Sequence, residues 1–237
     1  MLFRSVTPAG CLLAFCEGRL QQRDWGDTDI IMKVSRDGGR NWQHSRLANN
    51  HHELIVGGRS VGAIPKTANW RNPTSVYAKN AVYLFLSVDE GGESQGKISS
   101  GKSRFKTRFF FTHTNHEREW GDGIRWSPLR EIVVPHAYYG GATGPGRALY
   151  LNGRLIVPAN TNRGQENKRS FCFISDDLGE TWRFSGPAGS STENQITNLS
   201  DGRLLMSKRA AGTQEFWVSA DATRWSRLPK DTSLVTP

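Results

Sequence analysis

The sequence predicts an all-β fold made of repeated small sheets, and three observations lead to this fold class. The apolar segments are short and rich in Val, Ile, Phe, Tyr and Leu, the composition that half-buried strands favour. No segment keeps a helical period over three turns. One turn motif recurs after apolar segments, as expected when a sheet unit is repeated around a β-propeller. At four strands per blade, the predicted strands fill roughly three to four blades.

Turn-forming residues separate the predicted strands, and the chain has 25 glycines and 10 prolines to supply the turns. The predicted strands, in order along the chain, are 12–17, 28–35, 75–78, 82–88, 108–114, 148–151, 155–159, 170–175, 195–199, 203–208 and 215–220.

The recurring turn reads Ser-x-Asp-x-Gly-x-x-Trp. Its copies are 35–42, 175–182 and a shortened form at 219–225 without the Gly, with a strongly degraded fourth near 121–126. In such a turn the Asp carboxylate accepts backbone N–H groups, Gly supplies a positive φ and Trp folds back onto the sheet. We therefore interpret Asp37, Asp177 and Asp221 as turn caps rather than as paired catalytic acids.

The chain carries 31 Lys and Arg against 22 Asp and Glu, so its net charge is 31 − 22 = +9, which favours an anionic partner. The densest basic run is Lys102, Arg104, Lys106 and Arg108. We prefer a solvated loop and strand edge for this run, with a binding patch as the alternative. Since no zinc finger, helix-turn-helix or RNA-recognition motif occurs, no nucleic-acid partner is expected.

The cysteines, Cys11, Cys16 and Cys172, are odd in number and form no Cys-x-x-Cys pair. This slightly favours a reducing compartment such as the cytoplasm, and the sequence does not define the location further. No run of about 18 apolar residues occurs, so no transmembrane segment is expected. The histidines lack metal-ligand spacing, and Asp27 and Asp29 lack a calcium-loop signature, so neither metal nor cofactor is expected.

Beyond the turns, longer segments resemble the exo-α-sialidase family and follow the order of that family. They are 12–19 (LLAFCEGR), 72–74 (NPT), 142–146 (ATGPG), 153–159 (GRLIVPA), 192–195 (TENQ) and 201–205 (DGRLL). The recurring turns are similar to the Asp-boxes of the same family. The resemblance covers the chain from about residue 6 to residue 228. It implies a six-bladed β-propeller, of which this chain carries about four blades.

The resemblance also implies a glycoside hydrolase that releases terminal sialic acid with retention of configuration. By position, Asp24 matches the general acid/base of the family, and Glu193 matches the glutamate that takes a proton from a tyrosine nucleophile. Arg209 matches one of three arginines that bind the substrate carboxylate. Arg19 and Asn72 match positions that line the sugar pocket. The implied partners are sialylated glycans, namely glycoproteins, gangliosides and oligosaccharides; the oligomeric state stays open.

These residue types suit the chemistry of a sialoside. Planar guanidinium groups hold the substrate carboxylate bidentately, which lysine cannot do. Sialidases use tyrosine instead of a carboxylate nucleophile, and a nearby glutamate makes its phenol more reactive. An aspartic acid can protonate the leaving oxygen and later activate water.

Each assignment has a plainer alternative, since Arg19 could simply pair with Glu17 and the other residues could be ordinary turn or surface groups. The sequence also departs from the family: Arg4 lies three residues before Thr7 without the Ile-Pro of the family, and none of the five tyrosines occupies the nucleophile position. We therefore expect residues 1–237 to be one partial sialidase-type propeller domain, cut at both ends and inactive or nearly so alone. The alternatives are a non-catalytic sialoside-binding or interaction module, and a fragment of a longer sialidase.

Overall fold

The computed structural model describes most of the chain as β-strands. The described residues are 2–19, 28–45, 68–89, 93–135, 137–144, 146–164, 167–190, 193–210, 212–231 and 233–234. Their two helices are short: α1 spans Gln95–Ser99 and a 3₁₀ helix spans Glu117–Asp122. No helix in these ranges is long and apolar enough to cross a membrane.

The strands of the described ranges form four sheets. The first contains β1 (Leu2–Val6), β2 (Leu12–Arg19), β3 (Thr28–Ser35) and β4 (Gln43–Ser45). The second contains β5 (Asn69–Ala78), β6 (Ala81–Asp89), β7 (Arg108–His113) and β8 (Arg130–Glu131). Two short strands follow, β9 (Gly140–Thr143) and β10 (Gly146–Arg147). The third sheet contains β11 (Leu149–Leu151), β12 (Arg154–Asn162), β13 (Lys168–Ser175) and β14 (Arg183–Phe184). The fourth contains β15 (Asn194–Asn198), β16 (Leu204–Ala210), β17 (Thr213–Ser219) and β18 (Ser226–Arg227).

Each sheet is an antiparallel meander in which the strands pair in chain order, as in a propeller blade. The two short strands depart from this pattern: β10 pairs parallel with β5, and β9 pairs antiparallel with β12. The all-β prediction is therefore confirmed. The predicted bounds of 28–35 coincide with β3, and every other predicted strand overlaps an observed one. The strand β1, which has five residues, was not predicted. Neither were the short outer strands β4, β8, β14 and β18, because two or three residues carry no readable alternation.

Adjacent sheets pack face to face over three apolar clusters. The first and second sheets share a cluster that includes Phe15, Leu84 and Phe110. The second and third share one built on aromatic rings, and the third and fourth share one that includes Met206. Every residue of β6 is buried, because a sheet covered on both faces has no solvent side.

The sheets have two chemically different ends. The register pairs Arg19 with Thr28 in the first sheet, Asn69 with Asp89 in the second and Asn194 with Lys208 in the fourth. The C-terminal ends of β2, β6 and β16 therefore lie at one end, which we call the site end. The recurring turns follow β3, β13 and β17 and lie at the other, which we call the repeat end.

The turns at the repeat end confirm that their aspartates are caps. Asp37 Oδ1 accepts the backbone amide of Asn41 at 2.9 Å, and Asp177 Oδ1 accepts that of Thr181 at 2.9 Å. Because the exposed carboxylates receive several such bonds, the pKa of Asp37 and that of Asp177 are each lowered to about 2. Asp221 binds Thr223 in the same way.

The position after each capping Asp is left-handed in all three copies. Gly38 has φ 73°, Leu178 has φ 59° and Ala222 has φ 68°. Only glycine adopts this region without steric cost, so the carboxylate hydrogen bonds hold the two other residues there.

Candidate functional site

The site end brings together four of the five residues that the sequence singles out. Glu193, Arg209, Arg19 and Asn72 all lie there, on or next to β15, β16, β2 and β5. Asp24 lies outside the described residues. The contacts of the four residues define the candidate site.

Glu193 and Arg209 are direct neighbours. Because β15 and β16 pair with Asn194 opposite Lys208, the residues just outside that pair also meet. The Arg209 amide donates to the Glu193 carbonyl at 2.9 Å, and Arg209 Nη1 lies 3.3 Å from Glu193 Oε2. The side chains are 45% and 36% exposed. A guanidinium and a carboxylate are therefore both accessible to solvent here, so the pair offers a donor group and an acceptor group to a polar ligand.

Arg19 ends β2 and pairs with Glu17, two residues earlier on the same face of the strand. Its Nε and Nη2 donate to Glu17 Oε2 at 2.9 and 2.6 Å. The ion pair that the sequence left open as an alternative is thus present. It does not remove Arg19 from the site, because the arginine side chain remains 41% exposed.

Asn72 lies at a β-bulge, where the register between β5 and β6 shifts between Arg71 and Thr74. Its φ is 52°, a left-handed conformation that asparagine tolerates better than most residues. Its amide donates to Glu17 Oε1 at 2.9 Å, and its Oδ1 accepts the Ser87 hydroxyl at 2.8 Å. Bulges re-aim side chains next to functional sites, and this one is held by partners on two sheets.

The segment Thr143–Gly144 joins the second sheet to the fourth. Thr143 Oγ1 donates to the Asn72 carbonyl at 2.6 Å, and the Asn194 amide donates to the Gly144 carbonyl at 3.1 Å. Position 144 must be glycine, because a Cβ there would lie 2.6 Å from Thr74 Oγ1, and the φ is +65°. The contacts then form one continuous series through Arg19, Glu17, Asn72, Thr143, Gly144, Asn194, Glu193 and Arg209.

Two residues that take part in this series through their side chains, Glu17 and Thr143, were missed as site residues; Gly144 and Asn194, which join it through the backbone, were not predicted either. Glu17 and Thr143 both lie inside segments that carry the family resemblance, but neither received a role. The spacing of Glu17 two residues before Arg19 was a usable signal, since i and i+2 share one face of a strand. Nothing local indicated that Thr143 would reach Asn72.

A buried ion pair between β5 and β6 lies next to the site. Arg71 Nε lies 3.5 Å from Asp89 Oδ2, and the two side chains are only 7% and 4% exposed. Thr107 Oγ1 donates to Asp89 Oδ1 at 2.5 Å. Burial raises the pKa of Asp89, while Arg71 and the Thr107 hydrogen bond oppose that rise. The pair fixes the first residues of β5, from which Asn72 projects.

One tyrosine–glutamate hydrogen bond lies at the opposite end of β5. The Tyr77 hydroxyl donates to Glu117 Oε2 at 2.6 Å. Burial and the neighbouring carboxylate raise the pKa of Tyr77 to about 12, which makes its phenol harder to ionise. Tyr77 lies five positions after Asn72, or about 16 Å along a strand, so this pair is not part of the site end.

Comparison with known proteins identifies the family of the chain. The family model of the BNR repeat-like domain matches residues 10–237. An exo-alpha-sialidase of Arthroderma benhamiae is 28% identical over 214 residues, which cover 86% of this chain and 49% of that protein. Sialidase-2 of Rattus norvegicus is 28% identical over 210 residues, which cover 81% of this chain and 51% of that protein. The chain thus spans about half the length of these curated relatives.

Solved structures share the fold. The Hadza microbial sialidase Hz136 superposes with a TM-score of 0.79 at 19% identity, over 97% of this chain and 46% of that one. The Trypanosoma rangeli sialidase in complex with sialic acid gives a TM-score of 0.75 at 17% identity, over 95% of this chain and 36% of that one. At these identities the likeness concerns the fold, which is the sialidase β-propeller. Together with the recurring turns, these matches establish that the chain belongs to the exo-α-sialidase family with BNR, or Asp-box, repeats.

Proposed function

We propose that the site end is part of an exo-α-sialidase site, which hydrolyses terminal sialic acid from glycoconjugates with retention. The observation that carries the proposal is the Glu193–Arg209 pair, linked without a break to Arg19 and Asn72. The sialidase names of the relatives support the same activity. We also propose that residues 1–237 belong to one partial propeller domain, since apolar clusters join each sheet to the next.

In this proposal Arg209 binds the carboxylate at the anomeric carbon of the sialoside. A planar guanidinium suits that group, and Arg209 is exposed enough to receive it. Glu193 then stands next to the bound carboxylate and can accept the proton of a tyrosine nucleophile. Asp24 is proposed as the acid that protonates the leaving oxygen, and Arg19 and Asn72 as groups that line the sugar pocket.

The proposal extends to substrates and to the activity of the chain alone. We propose glycoproteins, gangliosides and oligosaccharides with a terminal sialic acid as substrates. We expect the 237-residue chain alone to hydrolyse them slowly or not at all, because no tyrosine matches the nucleophile position.

Titration calorimetry with sialyllactose tests the binding part. We expect Arg209→Gln to weaken binding roughly tenfold or more, since a charged hydrogen bond is lost. Arg203→Gln is the matched control, because Arg203 precedes the same strand at the repeat end and pairs with Asp201. No binding to the folded wild-type chain, or equal loss in both variants, would overturn the proposed site.

Hydrolysis of a fluorogenic sialoside tests the catalytic part. We expect little or no release from the wild-type chain. Release that disappears in both Asp24→Ala and Glu193→Gln would establish the enzyme and contradict the expected inactivity. The next step would then be single Tyr→Phe variants.

A second candidate is a sialoside-binding module without turnover. It is favoured by Tyr77, whose hydrogen bond to Glu117 lies at the wrong end of β5 for a nucleophile. Binding of sialyllactose that depends on Arg209, without any release, would select this candidate for the isolated chain.

A further inference from the structure

A cavity of about 320 Å³ opens at the site end of the third sheet. Its lining includes Tyr139, Asn162, Arg163, Asn167 and Arg169, from the segment before β9, the end of β12 and the start of β13. We call it the basic cavity. No carboxylate lines it among the residues that the structure describes.

The charge of the basic cavity is unusual for a surface rich in ion pairs. Arg163 and Arg169 are both exposed, and neither forms an ion pair within the described ranges. By contrast, arginines at the repeat end such as Arg154 and Arg183 share the carboxylate of Asp176. Two unneutralised guanidinium groups facing one concave space attract an anion.

The basic run that the sequence left open lies beside the same cavity. Lys106 Nζ lies 5.0 Å from the ring centre of Tyr138, which also lines the cavity. Gly101 packs against the ring of Tyr139, so closely that a Cβ would lie 2.6 Å from it. Arg108 instead pairs with Glu131 at 2.6 Å. Lys106 therefore adds positive charge beside the cavity, whereas Glu131 neutralises Arg108.

Backbone hydrogen bonds hold the walls of the cavity in place. The Tyr139 amide donates to the Asn162 carbonyl at 2.8 Å, and the Thr107 amide donates to the Tyr139 carbonyl at 2.9 Å. The Arg163 amide donates to the Asn167 carbonyl at 3.1 Å, and the Gly164 amide donates to the Ser99 carbonyl at 3.0 Å. A site whose walls are fixed before binding loses less entropy when a ligand arrives.

The basic cavity and the candidate site are joined by β9. Tyr139 immediately precedes Gly140, the first residue of β9, and Thr143, the last, donates to the carbonyl of Asn72. Three residues of strand span about 10 Å. A short oligosaccharide bound near Asn72 can therefore extend into the basic cavity.

We propose that the basic cavity is a subsite for a second anionic group on the same glycan, either a sugar carboxylate or a sulfate ester. The inference rests on the proposed function, because it places the terminal sialic acid at Arg209. Arg163 and Arg169 hold the second anion by charged hydrogen bonds, and the amides of Asn162 and Asn167 offer additional donors. Glycans with one acidic sugar leave the cavity unused.

The test is titration calorimetry with three ligands: sialyllactose, disialyllactose, and sialyllactose with a sulfate on the inner sugars. The variant is Arg163→Gln with Arg169→Gln. The control is Arg118→Gln with Arg125→Gln, which removes two exposed charges near the 3₁₀ helix at the repeat end. Thermal melting confirms that both double variants are folded.

We expect at least one doubly anionic ligand to bind the wild-type chain roughly tenfold more tightly than sialyllactose. The control keeps this advantage, whereas the cavity variant loses it and binds sialyllactose as before. The ligand that binds more tightly, disialyllactose or sulfated sialyllactose, shows whether the cavity prefers a carboxylate or a sulfate.

Two results overturn the inference: equal affinities for all three ligands in the wild-type chain, or an advantage that survives in the cavity variant. Failure of the proposed function gives a different pattern, in which sialyllactose does not bind. If a doubly anionic ligand then still binds through Arg163 and Arg169, the result supports an anion site in the basic cavity and rejects the proposed sialidase site. If nothing binds, both are rejected.

Discussion

The Glu17 carboxylate accepts the backbone amide of Asn72 at 2.9 Å, across 55 positions of sequence. The other oxygen of that carboxylate receives the guanidinium of Arg19 at 2.6 Å. One side chain of the first sheet therefore fixes both a bulge of the second sheet and an arginine of the candidate site.

Glu17→Gln should destabilise the fold and weaken sialyllactose binding together. Glutamine can still accept the Asn72 amide, but it presents no charge to Arg19, and charged hydrogen bonds contribute about 1.5–3 kcal/mol. We expect the free energy of unfolding to fall by about 1 kcal/mol for Glu17→Gln and about 2 kcal/mol for Glu17→Ala, measured by urea denaturation. Glu180→Gln, which breaks an exposed pair with Arg130, is the control. Equal denaturation midpoints for wild type, Glu17→Gln and Glu17→Ala would show that this carboxylate does not hold the bulge.

Because Asp177 caps its turn, the free energy of unfolding should depend on pH in the acidic range. Its pKa is about 2 in the folded protein and ordinarily 3.8, so the unfolded chain takes up the proton first as the pH falls. The stabilisation is present above about pH 4 and is lost as the pH approaches 2. We expect Asp177→Asn to be less stable than wild type at neutral pH, with a difference that shrinks in this window. Urea denaturation at several pH values and constant ionic strength measures it, and a difference that does not change with pH would contradict the cap.

The buried Lys208 should be needed for stability and for the position of Glu193. Its side chain is fully buried, and Nζ donates to the carbonyls of Ala188 and Ser190 and lies 3.3 Å from Glu215 Oε2. Burial lowers the pKa of Lys208, and Glu215 opposes that change. Lys208→Met leaves the carbonyls of Ala188 and Ser190 without this donor, whereas Glu215 keeps Arg227 and Trp217, so we expect a loss of about 2 kcal/mol.

Lys33→Met, at an exposed position of β3, is the control for this variant. The segment that Lys208 holds leads into Glu193, so we also expect weaker sialyllactose binding in chains that remain folded. Unchanged stability of Lys208→Met would mean that the ammonium contributes no net stabilisation.

Gly144→Ala should disrupt the link between the second and fourth sheets. A Cβ at this position meets backbone at 2.6 Å and the φ is +65°, whereas Gly153 has φ +81° with nothing within 4 Å. Gly153→Ala should therefore cost only the left-handed conformation, about 1 kcal/mol, and Gly144→Ala at least about 2 kcal/mol. Thermal and urea denaturation measure the stability of both variants. The difference between them gives the cost of the clash, because both variants carry the cost of the left-handed conformation. Similar losses would indicate that the segment shifts to admit the methyl group.

The sequence predicted strand bounds and turn caps better than it predicted which strands pair with each other. The bounds of β3 and the caps at Asp37 and Asp177 follow from alternation and turn chemistry, which act over a few residues. The strands β9 and β10 were missed because they are short, and β10 also pairs with a strand far from it in sequence, with Gly146 opposite Thr74.

The candidate site shows the same contrast between what one segment predicts and what depends on packing between sheets. Family resemblance located Glu193 and Arg209, and the structure brings them into contact. The bond from Glu17 to Asn72 could not be predicted, because it depends on how two sheets pack and on a bulge that shifts the register. Neither packing nor register is encoded within one segment.

Separation of the site end from the repeat end has a consequence for how such a protein changes over time. The aspartate-capped turns complete their hydrogen bonds far from Arg209 and from the basic cavity. Lengthening or exchanging the loops after β2 or between β12 and β13 would leave those turns intact. Changes in those loops can therefore alter which ligands the proposed site accepts without touching the hydrogen bonds of the capped turns.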